Sequence, residues 1–435
     1  MTNKNLNDHK SLNNEEAWER LFDKYHILRW IDTKGFFTIS ASQIREFREA
    51  RLMAKFDHSV NLPKLFSSHN LAILPITRGN YMISRFDAYH KFEENNAPIT
   101  RLSLPSHIQS LDSSNIPSEA IALNCAAAAG VIADFIEDYN IFATVSGRMG
   151  SGNFSFYIRD TKNQLSRRVH VENSQIEIDA AYEGISCLAL LEAKMDISED
   201  FLIRQLYYPF RVWGNRITKP VRPIFLVYSN GIYRMYEYAF ENPEHYNSLI
   251  LIKQKNYSIE DTSISLSDIQ FILDNVTIIS EPEIPFPQAD KFERVINLCE
   301  MIDTREMSRA EVTENYDFDV RQTNYYTDAA RYLGLLEKKP TESAVFYRIS
   351  ETGRRVLHFG YKQRQLEFCR LILAHKVFYQ SLKLYFQTGM MPPTDTIVKI
   401  MKQSGLYHIK SDDTFERRSS TVKGWLNWIV SLIDE

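Results

Sequence analysis

Gln175-Ile176-Glu177-Ile178-Asp179 and, one turn later, Leu188-Ala189-Leu190-Leu191-Glu192-Ala193-Lys194 decide how the chain is read. Side chains alternate along a strand, so Glu177 and Asp179 share one face and Ile176 and Ile178 the other. Glu192 and Lys194 likewise share a face. Tyr182-Glu183-Gly184 suits a turn between the two runs, and the predicted hairpin gathers Asp179, Glu192 and Lys194 at one end of a sheet. Leu188, Leu190 and Leu191 make the second run apolar on both faces, the mark of a central strand. Charged residues that end a buried strand need a partner or a metal.

Two carboxylates and an ammonium in one place suit phosphodiester hydrolysis. The carboxylates can hold Mg²⁺, a hard cation that prefers oxygen ligands, and the metal stabilises charge developing on a phosphate and helps ionise a water. The lysine can orient that water. The acid-x-Lys pattern itself is common, recurring at Asp32-Thr33-Lys34, Asp160-Thr161-Lys162 and Glu337-Lys338-Lys339, and an exposed salt-bridged pair is its ordinary meaning. The apolar strand before Glu192, and Asp179 ending another strand, set this copy apart.

Around the hairpin the chain reads as helix, three strands, helix, strand. Pro117-Ser118-Glu119 opens the first helix, with serine as N-cap and glutamate in the first turn. Its body is rich in alanine, which lets a helix lie close against a sheet. Strands are predicted over 154–158, 168–179, 186–194 and 223–228, and a helix over 198–208.

Asp179 with Leu191-Glu192-Ala193-Lys194, preceded by a helix and followed by another, resembles the PD-(D/E)xK nuclease superfamily. With Ser146-Gly147-Arg148-Met149 and Ile203-Arg204-Gln205-Leu206-Tyr207-Tyr208-Pro209-Phe210-Arg211, these blocks are similar to a group of bacterial type II restriction endonucleases. The superfamily resemblance covers roughly residues 115–230, and Ile178 stands where the name of the superfamily has proline. It implies Mg²⁺-dependent cleavage of double-stranded DNA, with Asp179 and Glu192 as metal ligands and Lys194 as the catalytic lysine. It further implies Glu119 as an extra acidic residue at the metal and Gln205 as a glutamine beside the site. Their plain alternatives are a first-turn glutamate favoured by the helix dipole and an exposed helical glutamine. Arg148, among Gly147, Gly150 and Gly152, could hold a phosphate or sit in a glycine-rich turn. Arg204 and Arg211 could face DNA, whereas Tyr207 and Tyr208 read as core.

Before this core, residues 1–112 read as an α+β module carrying a basic helix over 41–55, with Arg45 and Arg48 as candidate DNA contacts. After the core, assigned to 113–280, three prolines in Glu281-Pro282-Glu283-Ile284-Pro285-Phe286-Pro287 mark a linker over 281–289. Residues 290–360 then give three helices, a strand and a basic turn at 352–355, the order of a winged helix–turn–helix. Ser308-Arg309-Ala310-Glu311 is a capping box opening the second helix. Arg321, Gln322, Thr323 and Asn324 begin the third, where base-reading residues usually sit. A winged helix used for protein contacts is the alternative. Residues 361–435 form a helical extension in which Arg417 and Arg418 could clamp phosphates or merely solvate a surface.

The expected architecture is therefore mixed α+β or α/β: a central mixed β-sheet nuclease core flanked by helices, an N-terminal α+β module and a mainly helical C-terminal winged domain. A chain of 435 residues with 44% hydrophobic and 24% charged residues matches several globular domains rather than a disordered or fibrous protein. Its net charge of −4 has no global basic signature, so any nucleic-acid surface must be local. No apolar run approaches a membrane span, the start lacks a signal peptide's apolar core, and four scattered cysteines argue against zinc ribbons and disulfide frameworks. The expectation is a cytoplasmic type II restriction endonuclease using Mg²⁺ and leaving 5′ phosphates. Its partners would be double-stranded DNA, a cognate DNA methyltransferase and, since two strands are cut, a second copy as a homodimer. A repair or recombination nuclease of the same superfamily and a non-catalytic DNA-binding regulator are the alternatives.

Overall fold

The computed structural model describes residues 13–95, 97–316, 318, 320–341, 344–409 and 411–434. It is mixed α and β throughout, with a seven-stranded sheet at its centre and a helical C-terminal region. No helix among the described residues is long and apolar enough to cross a membrane.

At the N-terminal end, helices Asn14–Tyr25 and Ile27–Lys34 cover a three-stranded antiparallel sheet of Phe36–Ser40, Asn80–Ser84 and Ala72–Pro75. Trp18, Phe22 and Phe66 meet edge-on at its core, centroids 4.8–6.0 Å apart. The single basic helix predicted over 41–55 is two short ones, Ala41–Ile44 and Ala50–Met53. Their buried positions 41, 44, 50 and 53 recur in multiples of three, whereas a helix advances about 100° per residue. A continuous helix would wind those side chains away from the core, so the chain breaks it.

The central sheet runs Ile99–Arg101, Leu249–Ser258, Ile232–Phe240, Val221–Ser229, Leu188–Lys194, Gln175–Glu183, Phe142–Gly150. The Leu188 and Val221 strands are parallel, as are the Ile99 and Leu249 strands, and the remaining pairs are antiparallel. The Leu188 strand is buried on both faces. Leu188 and Leu190 pack with Leu206, Tyr207 and Tyr208 of helix Arg204–Gly214, while Ala189, Leu191 and Ala193 pack with Ala122, Leu123 and Ala126 of helix Glu119–Ala128. Ser118 caps that helix as the sequence suggests, accepting from the Ile121 N–H.

Three local expectations change. The strand predicted over 168–179 is two, Ser166–Glu172 and Gln175–Glu183, broken at Asn173, whose φ of 47° is left-handed and tolerated by asparagine. The first of them pairs with Asn153–Arg159 as a separate ribbon. The helix predicted over 198–208 begins only at Arg204, because Asp200–Leu202 pairs with Tyr89–Lys91 instead. Tyr89–Lys91 and Ile99–Arg101, read from sequence as parts of the 1–112 module, thus pair with strands of the central region.

Beyond the sheet come helix Phe292–Thr304, strand Met307–Ser308, helices Arg309–Asn315 and Val320–Tyr332, and strands Leu336–Pro340 and Val345–Ile349. The three strands form one antiparallel sheet with the Val345 strand in the middle. The basic turn expected at 352–355 is helical, within Glu351–Leu357, because Ser350 accepts from the Gly353 N–H and starts a new helix. Helices Tyr361–Leu373, Lys376–Thr388, Thr394–Lys402 and Asp412–Ser431 share one core with the elements before them, joined by Phe286 from the proline-rich segment and by Ile269 and Leu273 of helix Leu266–Asn275. The proline-rich stretch is irregular yet packed: Phe286 stacks on Phe378 at 5.6 Å.

The Ser308 capping box closes as predicted, with Glu311 accepting from the Ser308 N–H at 2.8 Å. That bond, Arg305 and the Ser308 hydroxyl hold the Glu311 carboxyl down to about 2. Its folded pKa lies below the unfolded value of about 4.3, so its stabilisation is full above that value and is lost as pH falls toward 2. Comparing the wild type with Glu311→Gln by thermal melting should give a gap of at most about 1 kcal/mol at neutral pH, closing across that window.

Candidate active site

The hairpin ladder pairs Leu188 with Glu183 through Leu191 with Ala180 and stops there. Glu192, Ala193 and Lys194 continue alongside Phe225, Leu226 and Val227 of the parallel strand, so the two hairpin strands part just where Asp179 stands. Asp179 Oδ2 spans the opening and accepts from the Ala193 N–H at 2.9 Å. Sequence alternation and the parting of the strands together place Asp179, Glu192 and Lys194 in one neighbourhood.

Lys194 Nζ donates to Glu192 Oε1 at 2.6 Å, and both side chains are nearly buried, at 13% and 12% exposure. Gln205, in the first turn of helix Arg204–Gly214, donates its Nε2–H to the same oxygen at 2.6 Å. Its own Oε1 is buried and accepts no hydrogen bond. Burial pushes the Glu192 carboxyl up to about 7, with Lys194 drawing it down and Asp179 adding to the rise. Burial works against the Lys194 ammonium, yet Glu192, Asp57 and Glu119 hold it above the usual lysine value. Burial also raises Glu119, on which Lys194 and Asp179 act in opposite directions.

Among the described residues, no group of three or more histidine, cysteine, aspartate or glutamate side chains is arranged to hold a metal ion. Asp179, Glu192 and Glu119 therefore do not form the three-carboxylate set expected from sequence; Glu119 feels the field of the site without joining a ligand cluster. Mg²⁺ commonly takes only one or two carboxylates and keeps several waters. Asp179 and Glu192 satisfy that demand, and the unpartnered Gln205 oxygen suits a metal-bound water, so the donor set fits the ion.

The expected DNA contacts fare unevenly. Arg148 is half exposed and pairs with Glu177 at 3.2 Å across adjacent strands. Arg204 has a buried Nε without a hydrogen-bond partner. Arg45 pairs with Glu49 at 3.5 Å, and Arg48 approaches Glu314 at 4.0 Å. Arg211 is structural, its Nη1 donating to Tyr207 Oη, the Pro243 carbonyl and the Ser155 carbonyl. Arg321 is exposed and Gln322 and Asn324 half-buried, but Thr323 is fully buried, its hydroxyl against Thr313 at 2.8 Å. Thr323 cannot read a base, because the helix turns that position into its own core. Arg417 is exposed, and Arg418 is half-buried with an unpartnered Nε.

Several residues around the site were invisible from sequence because they arrive from distant parts of the chain. Despite burial, Lys194, Lys55 and Arg204 hold Asp57 below the usual carboxylate range. His58 Nε2 lies 3.2 Å from Asp196, and its Nδ1 is 2.6 Å from the Asp200 carbonyl. Fully buried Asn297 donates to the Met195 carbonyl at 2.6 Å and accepts from the Ile197 N–H at 3.0 Å. Residues 195–202, immediately after the lysine, are thus gripped from both ends of the molecule.

Three stretches of the chain are similar to families described only as domains of unknown function: DUF6996 over residues 15–83, DUF6997 over 84–258 and DUF7226 over 294–434. The second holds Asp179, Glu192, Lys194, Gln205 and Glu119. No curated protein and no solved structure matches the chain.

Proposed function

We propose that this protein is a Mg²⁺-dependent endonuclease of the type II restriction kind, hydrolysing double-stranded DNA at a specific sequence and leaving 5′ phosphates. The observation that carries this reading is the meeting of Asp179, Glu192 and Lys194 where two core strands part, two carboxylates and one ammonium in a largely buried place. Asp179 and Glu192 would hold the metal. When bound, it would neutralise charge on the attacked phosphate and ease ionisation of a water. Lys194, released from Glu192, would orient the attacking water and oppose the growing negative charge. Gln205 would keep Glu192 aimed through its amide hydrogen bond.

Base reading is assigned to the C-terminal region. Its run of helix, strand, two helices and two strands over 292–349 matches the order of a winged helix, and Arg321, Gln322 and Asn324 sit at the start of the third helix. Cleavage of both strands would use two copies, and the host's own DNA would be protected by a separate methyltransferase. The four cysteines are all unpaired and buried, in keeping with the cytoplasm.

The test is digestion of unmethylated phage DNA with Mg²⁺ and with EDTA. Discrete fragments that need the metal support the reading. Cleavage confined to branched or damaged DNA would instead mark a repair nuclease, and binding without any cleavage a regulator. Gln205→Leu keeps the helix but removes the amide, and is expected to slow cleavage by about 10–100-fold while leaving duplex binding intact. Single-turnover rates across a Mg²⁺ titration would measure it.

A further inference from the structure

Beside the site lies a second polar feature that involves the N-terminal region. A cavity of about 340 Å³ is lined by Arg51, Lys55 and Arg78 from that region and by Arg148 and Arg204 from the central one. The single carboxylate on its wall is Glu177. Like charges crowded around one hollow repel each other, at a cost that rises as water is excluded. Arg148 is answered by Glu177 and Lys55 by Asp57 at 3.4 Å. Arg51, Arg78 and Arg204 have no ion-pair partner among the described residues, and Arg204 buries an Nε–H that donates to nothing. Asp57 acts on both Lys55 and Arg204, so the five cations face two carboxylates, and Arg51 and Arg78 stand without an ion pair among the described residues; that excess fits an anion that arrives from outside.

Location says which anion. Glu177 stands two positions before Asp179 on the same strand and the same face, so the cavity opens beside the candidate active site. A polyanion cut at Asp179 would continue past Arg148 and Arg204 toward Arg51 and Arg78. Resting on the endonuclease reading, we infer that this cavity seats backbone phosphates of duplex DNA flanking the cut, and that Arg51 and Arg78 make the N-terminal region a phosphate clamp. Arg45 and Arg48 in the same region face Glu49 and Glu314 and stand outside it.

The experiment reads binding, not cleavage. A labelled DNA duplex is titrated with full-length protein in EDTA at a series of salt concentrations, for the wild type, Arg51→Gln, Arg78→Gln and Arg45→Gln. Each phosphate contact contributes about 0.9 to the slope of log affinity against log salt. Arg51→Gln and Arg78→Gln should each lower that slope by about 1 and weaken binding to all sequences alike, with Arg45→Gln unchanged. Arg51 and Arg78 are exposed, so their replacement spares the fold, and matching melting curves would verify that. Unchanged slopes, a wild type that binds no duplex, or an equal drop for Arg45→Gln would each overturn the clamp. Metal-dependent cleavage with unchanged slopes would sink the clamp alone, whereas lowered slopes without cleavage would sink the nuclease reading alone.

Discussion

Lys194→Met should lower single-turnover DNA cleavage by at least about 10²–10³-fold while leaving duplex affinity within a few fold of the wild type. The ammonium is the one cation paired to Glu192 among the described residues, 2.6 Å away and almost out of contact with water. Methionine keeps the length and apolar stem but offers no charge to orient a water. Breaking a buried ion pair ordinarily costs about 3–5 kcal/mol, because the surviving charge is stranded. Here Glu192 already titrates at about 7 under burial, so losing Lys194 lets it take a proton and escape that cost. Buried Asp57, which Lys194 also holds ionised, loses that cation as well, so the variant should melt below the wild type while remaining folded. Cleavage within about tenfold of the wild type would remove Lys194 from the catalytic set.

The largest loss of stability is expected far from the chemistry. Trp425 is fully buried in helix Asp412–Ser431, donates its indole N–H to the Ala289 carbonyl at 2.6 Å, and packs against Phe292 and Phe378 at 4.9 and 5.0 Å. Trp425→Ala should cost about 3–5 kcal/mol, toward the upper end because the site cannot collapse. Gly424 explains why: a Cβ there would stand 2.2 Å from the Asp290 carbonyl oxygen, so the helix already rests on the chain crossing it. Denaturant unfolding followed by helical signal would measure the loss, and a cost under about 1 kcal/mol would mean the core refills.

What could be read from sequence was what short-range periodicity encodes. Asp179, Glu192 and Lys194 came together because alternation along two neighbouring strands and a short connection suffices to bring them there. The turn itself falls at 184–187 rather than at the expected 182–184, since Tyr182 and Glu183 still pair with Ala189 and Leu188. The Ser118 cap and the Ser308–Glu311 box were legible for the same reason, each being complete within four residues. The break at Asn173 was not, since it turns on one left-handed residue inside an otherwise extended run. Asp200–Leu202 looked helical until Tyr89–Lys91 supplied a strand to pair with. Thr323 looked free to read a base because nothing in its own helix reveals the Thr313 hydroxyl facing it. Asp57, His58 and Asn297 reach the site only through the tertiary fold, so no local pattern points to them.

The grip on residues 195–202 bears on how this protein can be rebuilt. His58 and Ser59 hold Asp196 and Asp200 from one side, and Asn297 holds Met195 and Ile197 from the other. The central sheet is therefore not a cartridge to be lifted out and fused to a foreign targeting domain. A chimaera joined within the 281–289 segment would discard Asn297 and leave the backbone after Lys194 without its tether. A viable graft would have to carry helix Phe292–Thr304 with the sheet and place its seam after that helix.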